Sequence, residues 1–313
     1  MTIGLIDSGL GLLPTAGWIR HMDPEREVIL LLDPDGAPWG PRSAAFIANR
    51  VLRAAEHAVR LGAQALVLSC NTASVTALEV LRAEFEPAVP VIGTVPAVKP
   101  AAVTGAPFAV WATEATTASP YQERLISEFA PDQTVARVAC PALAEAIDRG
   151  GTDAIDAAIA YAVARTPGYC TSVVLGCTHY PLVADRIRAR LPAHTTLYDT
   201  AEAVARQTLR RLAALNSSSN CRSEVRVLLS GREGVLPAAA RTYPLGAALA
   251  DGAPVSRELL VTSGVATARP FLDGTDQASR HLTPPGSRLS PVSPGVEGGR
   301  PPPDQRVIAS HQH

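Results

Sequence analysis

The chain has 313 residues, a formal net charge of -1 at pH 7, and 47% hydrophobic but only 4% aromatic residues. This length is sufficient for two domains with buried cores. The balanced charge favours neither nucleic acid nor an anionic membrane, so we expect neither as a partner. The amino terminus, MTIGLIDSG, does not resemble a signal peptide, and no apolar run approaches the roughly 18 residues of a membrane span. We therefore expect a soluble, cytoplasmic protein.

The cysteine and lysine contents exclude several kinds of chemistry. The five cysteines form no CxxC pair or zinc-finger spacing, and their odd number argues against a disulfide framework. The only lysine is Lys99, beside Pro100. A pyridoxal-phosphate enzyme needs a Schiff-base lysine, and a Walker loop needs a lysine within its own motif. We therefore expect that any chemistry at an amino-acid α-carbon proceeds without pyridoxal phosphate.

Strand-like and helix-like segments alternate along most of the chain. The predicted strands are, in chain order, TIGLID, EVILLL, QALVLS, VPVIG, FAVWAT, SVVLG and TTLYDT. Alanine-rich helical patterns lie between them, such as SAAFIANRVLRAAEHAVRLG, in which Gly62 is suited to the C-cap. The alternation predicts an α/β fold with mainly parallel sheets and right-handed crossovers.

Proline-rich and polar segments divide the chain into units. GTVPAVKPAAV is predicted to be a hinge, and the second domain then covers residues 98–204. Residues 1–97 and about 205–270 are assigned to the first domain, because the helical AEAVARQTLRRLAAL returns the chain to it. Beyond the linker NSSSN, EVRVLLSG and ELLVTSG are two candidate strands. Residues from about 273 to 313 are rich in Pro, Gly and Ser, which predicts a disordered tail.

Two cysteines follow near-matching strand-like runs. Cys70 lies in ALVLSCNTAS and Cys177 lies in SVVLGCTHYP. In each motif a short aliphatic run ends in Ser or Gly before the cysteine, and polar residues then open a predicted helix. The carboxyl ends of parallel strands are where α/β folds bind ligands. A reaction that needs an acid on one face of a substrate and a base on the other could use such a pair.

Racemisation of an amino acid is such a reaction. A proton leaves the α-carbon on one face and another arrives on the opposite face, and one residue cannot reach both faces of a fixed substrate. A thiol suits both roles, because its reference pKa of about 8.5 falls toward neutrality at a helix N-terminus or beside a polar partner. Cys70 and Cys177 are therefore candidate acid–base groups. The alternative is two core cysteines that happen to end strands.

Polar residues near these cysteines could assist them. GLIDSG places Asp7 and Ser8 at the end of the first strand, where Asp7 could orient a thiol or hold a substrate ammonium, or could simply cap a helix. His179 follows Cys177 by two residues and could polarise that thiol, or be structural. A metal site formed by Cys177, His179 and Cys70 is a weaker alternative, because no ligand spacing marks it.

Two further segments could contribute to a substrate site. DPDGAPWGPRS is rich in turn-forming residues and is either a plain loop or a cleft edge near Pro38, Trp39 and Gly40. WATEATTASPY presents Thr113, Thr116 and Thr117 after a predicted strand, either as donors to a carboxylate or as ordinary helix caps.

Taken together, these motifs resemble the pyridoxal-independent glutamate racemases of the aspartate/glutamate racemase superfamily. The similarity covers about residues 3–205 and includes, in order, GLIDSG, PWGPRS, SCNTAS, VPVIGTV, the ATEAT run, CP followed by an acidic residue, and GCTHYPL. CNTAS and GCTHYPL together are highly specific, whereas DSG or PWG alone would be weak. The resemblance implies two similar three-layer α/β domains that face each other across a cleft, with one catalytic cysteine from each.

The resemblance also implies an activity and a set of site residues. It implies an isomerase that converts L-glutamate to D-glutamate for peptidoglycan synthesis without a cofactor; a homodimer is left open. By position, Asp7 would assist Cys70, while Asp148 and His179 would assist Cys177. The residues implied to line the substrate site are Asp7, Ser8, Trp39, Gly40, Asn71, Thr72, Thr113, Thr116, Thr178 and His179.

The chain departs from the family pattern at three of these motifs. Leu12 occupies the position of a second glycine, Trp39 replaces the usual tyrosine, and Asp148 stands where glutamate is common. Because Asp148 is one methylene shorter, we expect it to reach His179 less well. Alternative functions are a racemase of aspartate or a hydantoin, a non-catalytic regulatory paralogue, and a metal hydrolase.

Overall fold

The computed structural model describes residues 1–215, 223–261 and 265–267. The strands of this part of the chain are β1 (Thr2–Asp7), β2 (Glu27–Leu32), β3 (Ala63–Leu68), β4 (Val91–Gly93), β5 (Phe108–Ala112), β6 (Val135–Ala139), β7 (Ser172–Leu175), β8 (Thr196–Asp199), β9 (Val225–Leu229), β10 (Arg232–Gly234) and β11 (Val265–Thr267). Its α-helices are α1 (Leu13–Met22), α2 (Ala44–Arg60), α3 (Asn71–Phe85), α4 (Val98–Ala102), α5 (Glu114–Thr117), α6 (Pro120–Phe129), α7 (Leu143–Arg149), α8 (Thr152–Val163), α9 (Ala184–Arg190), α10 (Ala201–Ala213) and α11 (Pro244–Ala250). Short 3-10 turns cover Leu10–Leu12, Tyr180–Val183, Ala238–Thr242 and Arg257–Leu259.

The first sheet has the strand order β10-β9-β2-β1-β3-β4. Its pairs are parallel except for the antiparallel β9–β10 hairpin. In register, Asp7 of β1 lies opposite Leu32 of β2, and Ile6 lies opposite Leu68 of β3. The residues that follow β1, β2 and β3 therefore meet at one edge of this sheet.

The second sheet has the strand order β11-β8-β7-β5-β6, and all of its pairs are parallel. Trp111 of β5 lies opposite Leu175 of β7, and Ala112 lies opposite Ala139 of β6. The segments that begin at Thr113, at Cys140 and after Leu175 consequently leave the sheet at the same edge. These two sheet edges carry the candidate site.

The sequence pattern explains these elements. Strands β1, β5 and β7 are buried along their whole length, which is typical of central parallel strands covered on both faces. Helix α2 buries Ile47, Val51, Ala55 and Ala58, which recur at spacings of three and four. It ends before Gly62, whose φ of +95° suits the residue after a helix.

A shared hydrophobic core joins the two sheets. The largest cluster of buried apolar side chains includes Leu5 of β1 and Val173 of β7, together with Trp18 of α1 and Leu212 of α10. Leu12 is fully buried in the same cluster. The side chain that replaces the family's second glycine therefore packs in the core and does not enter the site.

The predicted α/β fold with mainly parallel sheets is confirmed. The seven strands predicted in the alternating part of the chain are present, whereas β6, β10 and β11 were not predicted. Part of the predicted hinge forms helix α4. Its proline, Pro100, lies in the first turn, where a helix tolerates proline. No helix among the described residues is long and apolar enough to cross a membrane.

The carboxyl-terminal segments were predicted less completely. EVRVLLSG contains β9, whereas the described part of ELLVTSG is a 3-10 turn at Arg257–Leu259. Strand β11 pairs with β8 in the second sheet, whereas the sequence pattern assigns the residues up to about 270 to the first domain. The domain boundaries stay a prediction. The linker NSSSN and the tail at residues 273–313 lie outside the described residues.

Candidate active site

Cys70 and Cys177 line the same cavity, which has a volume of about 240 Å³. Cys70 follows β3 of the first sheet and Cys177 follows β7 of the second, so the cavity lies between the carboxyl edges of the two sheets. It is smaller than the pockets that hold drug-sized ligands and suits a small metabolite. The predicted site residues that line it are Ser8, Trp39, Gly40, Cys70, Asn71, Thr72, Thr113, Thr116, Asp148, Cys177, Thr178 and His179.

Asp7 is not among the residues that line this cavity; it lines a neighbouring cavity that Trp39 also lines. The carboxylate is fully buried and accepts hydrogen bonds from the Gly9 amide at 3.0 Å, the Ser8 hydroxyl at 3.3 Å and the Thr178 hydroxyl at 3.2 Å. Burial raises the pKa of Asp7 to about 6, although the neighbouring His179 opposes this shift. Asp7 thus connects the end of β1 to the loop that carries Cys177.

A chain of three side chains ends at Cys177. The Asp148 carboxylate is 3.0 Å from Nε2 of His179, and Nδ1 of the same ring is 3.7 Å from the Cys177 sulfur. The backbone amide of Leu10 donates a second hydrogen bond to Asp148 at 2.8 Å. Asp148 therefore reaches His179 fully, and the expectation that the shorter side chain would reach it less well is wrong.

Asp148 and His179 each stabilise the charged form of the other. Burial alone would lower the pKa of His179, but the charge and hydrogen bond of Asp148 raise it well above its ordinary value, with a further contribution from Cys177. Burial alone would raise the pKa of Asp148, but His179 and the Leu10 amide lower it. At neutral pH the pair is therefore an imidazolium and a carboxylate, and the imidazolium can donate to the Cys177 sulfur.

Cys70 has different surroundings. It precedes the first residue of α3, and its thiol is buried. Burial raises its pKa strongly, the Asp7 charge raises it further, and the Ala73 amide of the helix only partly opposes these effects. Cys70 is therefore a protonated thiol at neutral pH.

Two glycines let the DSG loop lie directly against these groups. A Cβ at Gly9 would be 2.4 Å from the Asp148 carboxylate oxygens. A Cβ at Gly11 would be 2.4 Å from the Thr178 hydroxyl and 2.7 Å from Nδ1 of His179. Gly9 and Gly11 are consequently required by close packing between the two sides of the cavity.

Neutral polar groups provide further binding capacity. The Asn71 amide donates to the Gly176 carbonyl at 2.8 Å, while its Oδ1 atom is buried without a partner among the described residues. Thr113 caps α5, where its hydroxyl accepts from the Thr116 amide at 3.3 Å. No lysine or arginine of the described chain is among the cavity-lining residues. A ligand with carboxylates would therefore be held by hydroxyl and N–H groups.

Several lining residues were not predicted as site residues. They are Pro41, Glu114, Ala115, Cys140, Pro141, Ala142, Ala144, Glu145 and Gly176. Ala142 has a φ of +58°, an uncommon conformation for a residue other than glycine. The CP motif was the signal for Cys140, whereas nothing in the local pattern distinguishes Glu145 from other helix surface residues. No group of three or more His, Cys, Asp or Glu in the described residues is arranged to hold a metal ion.

The chain can be compared with known proteins through its sequence. A sequence model described as Asp/Glu/Hydantoin racemase matches residues 17–208. The chain is 40% identical over 220 residues to the glutamate racemase of Ralstonia nicotianae, which covers 68% of this chain and 78% of that protein. It is 36% identical over 215 residues to that of Ectopseudomonas mendocina, with coverages of 67% and 81%.

Solved structures agree with these similarities. The Escherichia coli glutamate racemase, in complex with L-glutamate and the activator UDP-MurNAc-Ala, has a TM-score of 0.69 at 28% identity and covers 85% of this chain and 97% of that chain. The Bacillus anthracis isoform RacE1 has a TM-score of 0.60 at 26% identity, with coverages of 73% and 88%. Fold and site together place the protein among the isomerases that act as racemases, and the predicted resemblance is confirmed. The chain belongs to the Asp/Glu/Hydantoin racemase family.

Proposed function

We propose that the protein interconverts L- and D-glutamate by a mechanism in which Cys70 and Cys177 act from opposite sides of the substrate. The observation that carries this proposal is that two thiols, contributed by different sheets, line one cavity of metabolite size. The names of the relatives support glutamate as the substrate, since the curated proteins compared above are glutamate racemases.

The proposed proton transfers use the two thiols in opposite roles for the two enantiomers. In one direction the Cys177 thiolate takes the α-proton, and the Cys70 thiol delivers its own proton to the opposite face of the planar carbanion. In the other direction the Cys70 thiolate takes the proton and Cys177 delivers one. His179 donates its hydrogen bond to the Cys177 sulfur when that sulfur is negative, and Asp148 keeps the imidazole charged.

The cavity walls provide the contacts that an acidic amino acid needs. Asn71 Oδ1 is a buried acceptor that a substrate ammonium could satisfy. The hydroxyl groups of Thr72 and Thr116 are candidate donors to the two carboxylates. Those of Ser8, Thr113 and Thr178 would first have to release the hydrogen bonds that they donate within the protein. Asp7 would act by orienting Thr178 and by holding negative charge near Cys70, so its role as a direct substrate contact stays a prediction.

The physiological role that we propose is the supply of D-glutamate for peptidoglycan synthesis in the cytoplasm, as the resemblance to glutamate racemases implies. The two α/β domains proposed for the fold would each contribute one thiol. The residues that we assign to the proton transfers carry out the reaction without a cofactor.

The test is a circular-dichroism assay of the purified protein with L- and D-glutamate, without added cofactor and with aspartate as the control substrate. We expect both enantiomers of glutamate to lose ellipticity toward zero, and aspartate to change much more slowly. Faster conversion of aspartate would replace the proposed substrate, whereas inactivity on every acidic amino acid would favour a non-catalytic paralogue.

A further inference from the structure

One wall of the substrate cavity is formed by a loop without regular secondary structure. Residues 33–43 connect β2 to α2, and within them Pro38, Trp39 and Gly40 line the cavity. A binding wall made of loop residues is effective only if other groups hold it in place. The contacts of this loop therefore bear on substrate binding.

The Asp33 carboxylate anchors the loop. Its Oδ2 atom accepts hydrogen bonds from the indole N–H of Trp39 at 2.9 Å and from Nε of Arg50 at 2.8 Å. Its Oδ1 atom accepts from Nη2 of Arg50 and from the Ser230 hydroxyl at 2.8 Å. Four donors thus satisfy one nearly buried carboxylate, which is 8% exposed.

The Ser230 contact comes from a distant part of the chain. Ser230 lies in the tight turn between β9 and β10 with a φ of +49°, and Gly231 follows with a φ of +84°. In this conformation the Ser230 hydroxyl donates to Asp33 and accepts from the Asp35 amide at 3.0 Å. The left-handed backbone of a serine is unfavourable, and these two hydrogen bonds offset it. The hairpin therefore braces the loop from outside the cavity.

Trp39 separates the substrate cavity from a second cavity. This second cavity has a volume of about 190 Å³ and is lined by Asp33, Arg50 and Ser230 as well as by Trp39. Trp39 is only 1% exposed, so its indole is tightly packed where it forms part of the wall of both cavities. If the hydrogen bond to Asp33 were lost, the second cavity would give the indole room to move away from the substrate.

We propose that Asp33 is a positioning residue that fixes the Trp39 wall of the substrate cavity through the indole hydrogen bond, with Arg50 and Ser230 orienting the Asp33 carboxylate. Asp33 does not line the substrate cavity and acts only through Trp39. The inference rests on the proposed function for its kinetic readout. The position of Trp39 affects binding of the substrate equally in the ground state and in the transition state. Loss of the anchor therefore raises KM while kcat is nearly preserved.

The test compares Asp33→Asn, Trp39→Phe and the double variant, with Asp35→Asn as the matched control. Asp35 lies in the same loop, but its carboxylate is exposed and pairs with Arg232. One lost hydrogen bond corresponds to a roughly 2- to 13-fold rise in KM for glutamate, and we expect each single variant to fall in this range with kcat changed less than about twofold. The double variant should resemble Asp33→Asn alone, because the two residues act as a unit.

A second readout does not depend on activity. Hydrogen–deuterium exchange of the segment 33–43 should accelerate in Asp33→Asn and in Ser230→Ala, and should be unchanged in Asp35→Asn. If the protein racemises no acidic amino acid, the proposed function fails while this exchange measurement still decides on the anchor. Unchanged KM with unchanged exchange in folded Asp33→Asn and Trp39→Phe would overturn the inference, as would additive losses in kcat.

Discussion

The two sides of the substrate cavity have similar local sequences but different electrostatics. Each cysteine follows a buried strand and precedes a helical turn. Cys177 lies 3.7 Å from an imidazole that is itself held by a carboxylate. The negative charge of the buried Asp7 acts on Cys70 instead, and Cys70 forms no such imidazole contact within the described residues. A repeated strand-end arrangement therefore places both thiols but gives them different neighbours.

This difference assigns a resting state to the cavity. The raised pKa of His179 provides a positive charge beside Cys177, and the raised pKa of Cys70 keeps that thiol protonated. Cys70 is thus prepared to donate a proton, which is one of the two roles that a two-sided transfer requires, and the positive charge of His179 faces the other thiol. The asymmetry also predicts that the two directions of the reaction respond differently to changes on each side.

The largest expected effect comes from removing either thiol. Cys70→Ser and Cys177→Ser should each lower the rate of racemisation by about a thousandfold or more, because a serine hydroxyl is a far weaker acid than a thiol. The change is measured by circular dichroism with each enantiomer of glutamate. Racemisation at the full rate by either single variant would contradict the two-thiol mechanism.

The same two variants can separate the sides of the cavity. A substrate analogue with a leaving group on the β-carbon needs only the removal of its α-proton in order to eliminate. We expect Cys70→Ser to retain elimination from one enantiomer of the analogue and Cys177→Ser to retain it from the other. Loss of both reactions in both variants would mean that neither side works independently.

The next largest effect concerns the groups behind Cys177. Asp148→Asn removes the negative charge that sustains the His179 imidazolium, so we expect the rate to fall by about a hundredfold. The pKa of His179 should fall as well, and the alkaline limb of the pH profile should move to lower pH. Asp153→Asn, an exposed change at the second residue of α8, is the matched control and should leave both quantities unchanged.

Much of this arrangement could be predicted because it is local in the sequence. A polar residue at a strand end can be recognised from the few positions before and after it. Cys70, Cys177, His179 and the DSG turn are examples. Asp148 was implied only by the resemblance, because its contact with His179 depends on how α7 packs beside the second sheet. Its neighbour Glu145 lines the cavity without any local signal.

The bracing of the Trp39 loop could not be predicted for a related reason. Asp33 and Ser230 are separated by 197 positions, and their contact depends on the pairing of β2 with β9. The motif PWG indicated a cleft edge, but not the partner of its indole. Pairing between strands distant in sequence is the step that local patterns do not encode.

A smaller effect is expected on the Cys70 side, at Asp7. Its pKa rises from 3.8 to about 6 on folding, so the folded state binds the proton more tightly than the unfolded state. The cost of ionising Asp7 is absent below pH 3.8 and complete above about pH 6, where it corresponds to roughly 3 kcal/mol. Relative to the wild type, Asp7→Asn should therefore gain stability between pH 4 and pH 7.

Denaturant unfolding of both proteins at these two pH values checks this expectation. Asp199, whose pKa is also raised to about 6 by burial, is common to both proteins, so its contribution cancels in the difference. A difference in stability that is the same at pH 4 and pH 7 would show that Asp7 ionises in the folded protein as readily as in the unfolded chain.

The smallest expected effect compares the two thiols directly. Their residues are similarly buried, at 8% exposure for Cys70 and 9% for Cys177, so accessibility does not distinguish them. Iodoacetamide reacts with thiolates, and burial raises the pKa of Cys70, which disfavours the thiolate form of that residue. We expect Cys177 to be alkylated about tenfold faster at pH 7, as followed by peptide mass spectrometry. Faster modification of Cys70 would reverse the assigned resting state.

The central claim is that the α-proton leaves to one thiol and a different proton arrives from the other. It is tested most directly by incubating L-glutamate with the protein in deuterated water and analysing both enantiomers at low conversion. The account predicts that the D-glutamate formed carries deuterium at the α-carbon while the remaining L-glutamate keeps its original proton. Deuterium entering L-glutamate as fast as D-glutamate forms, or D-glutamate that retains the original proton, would contradict it.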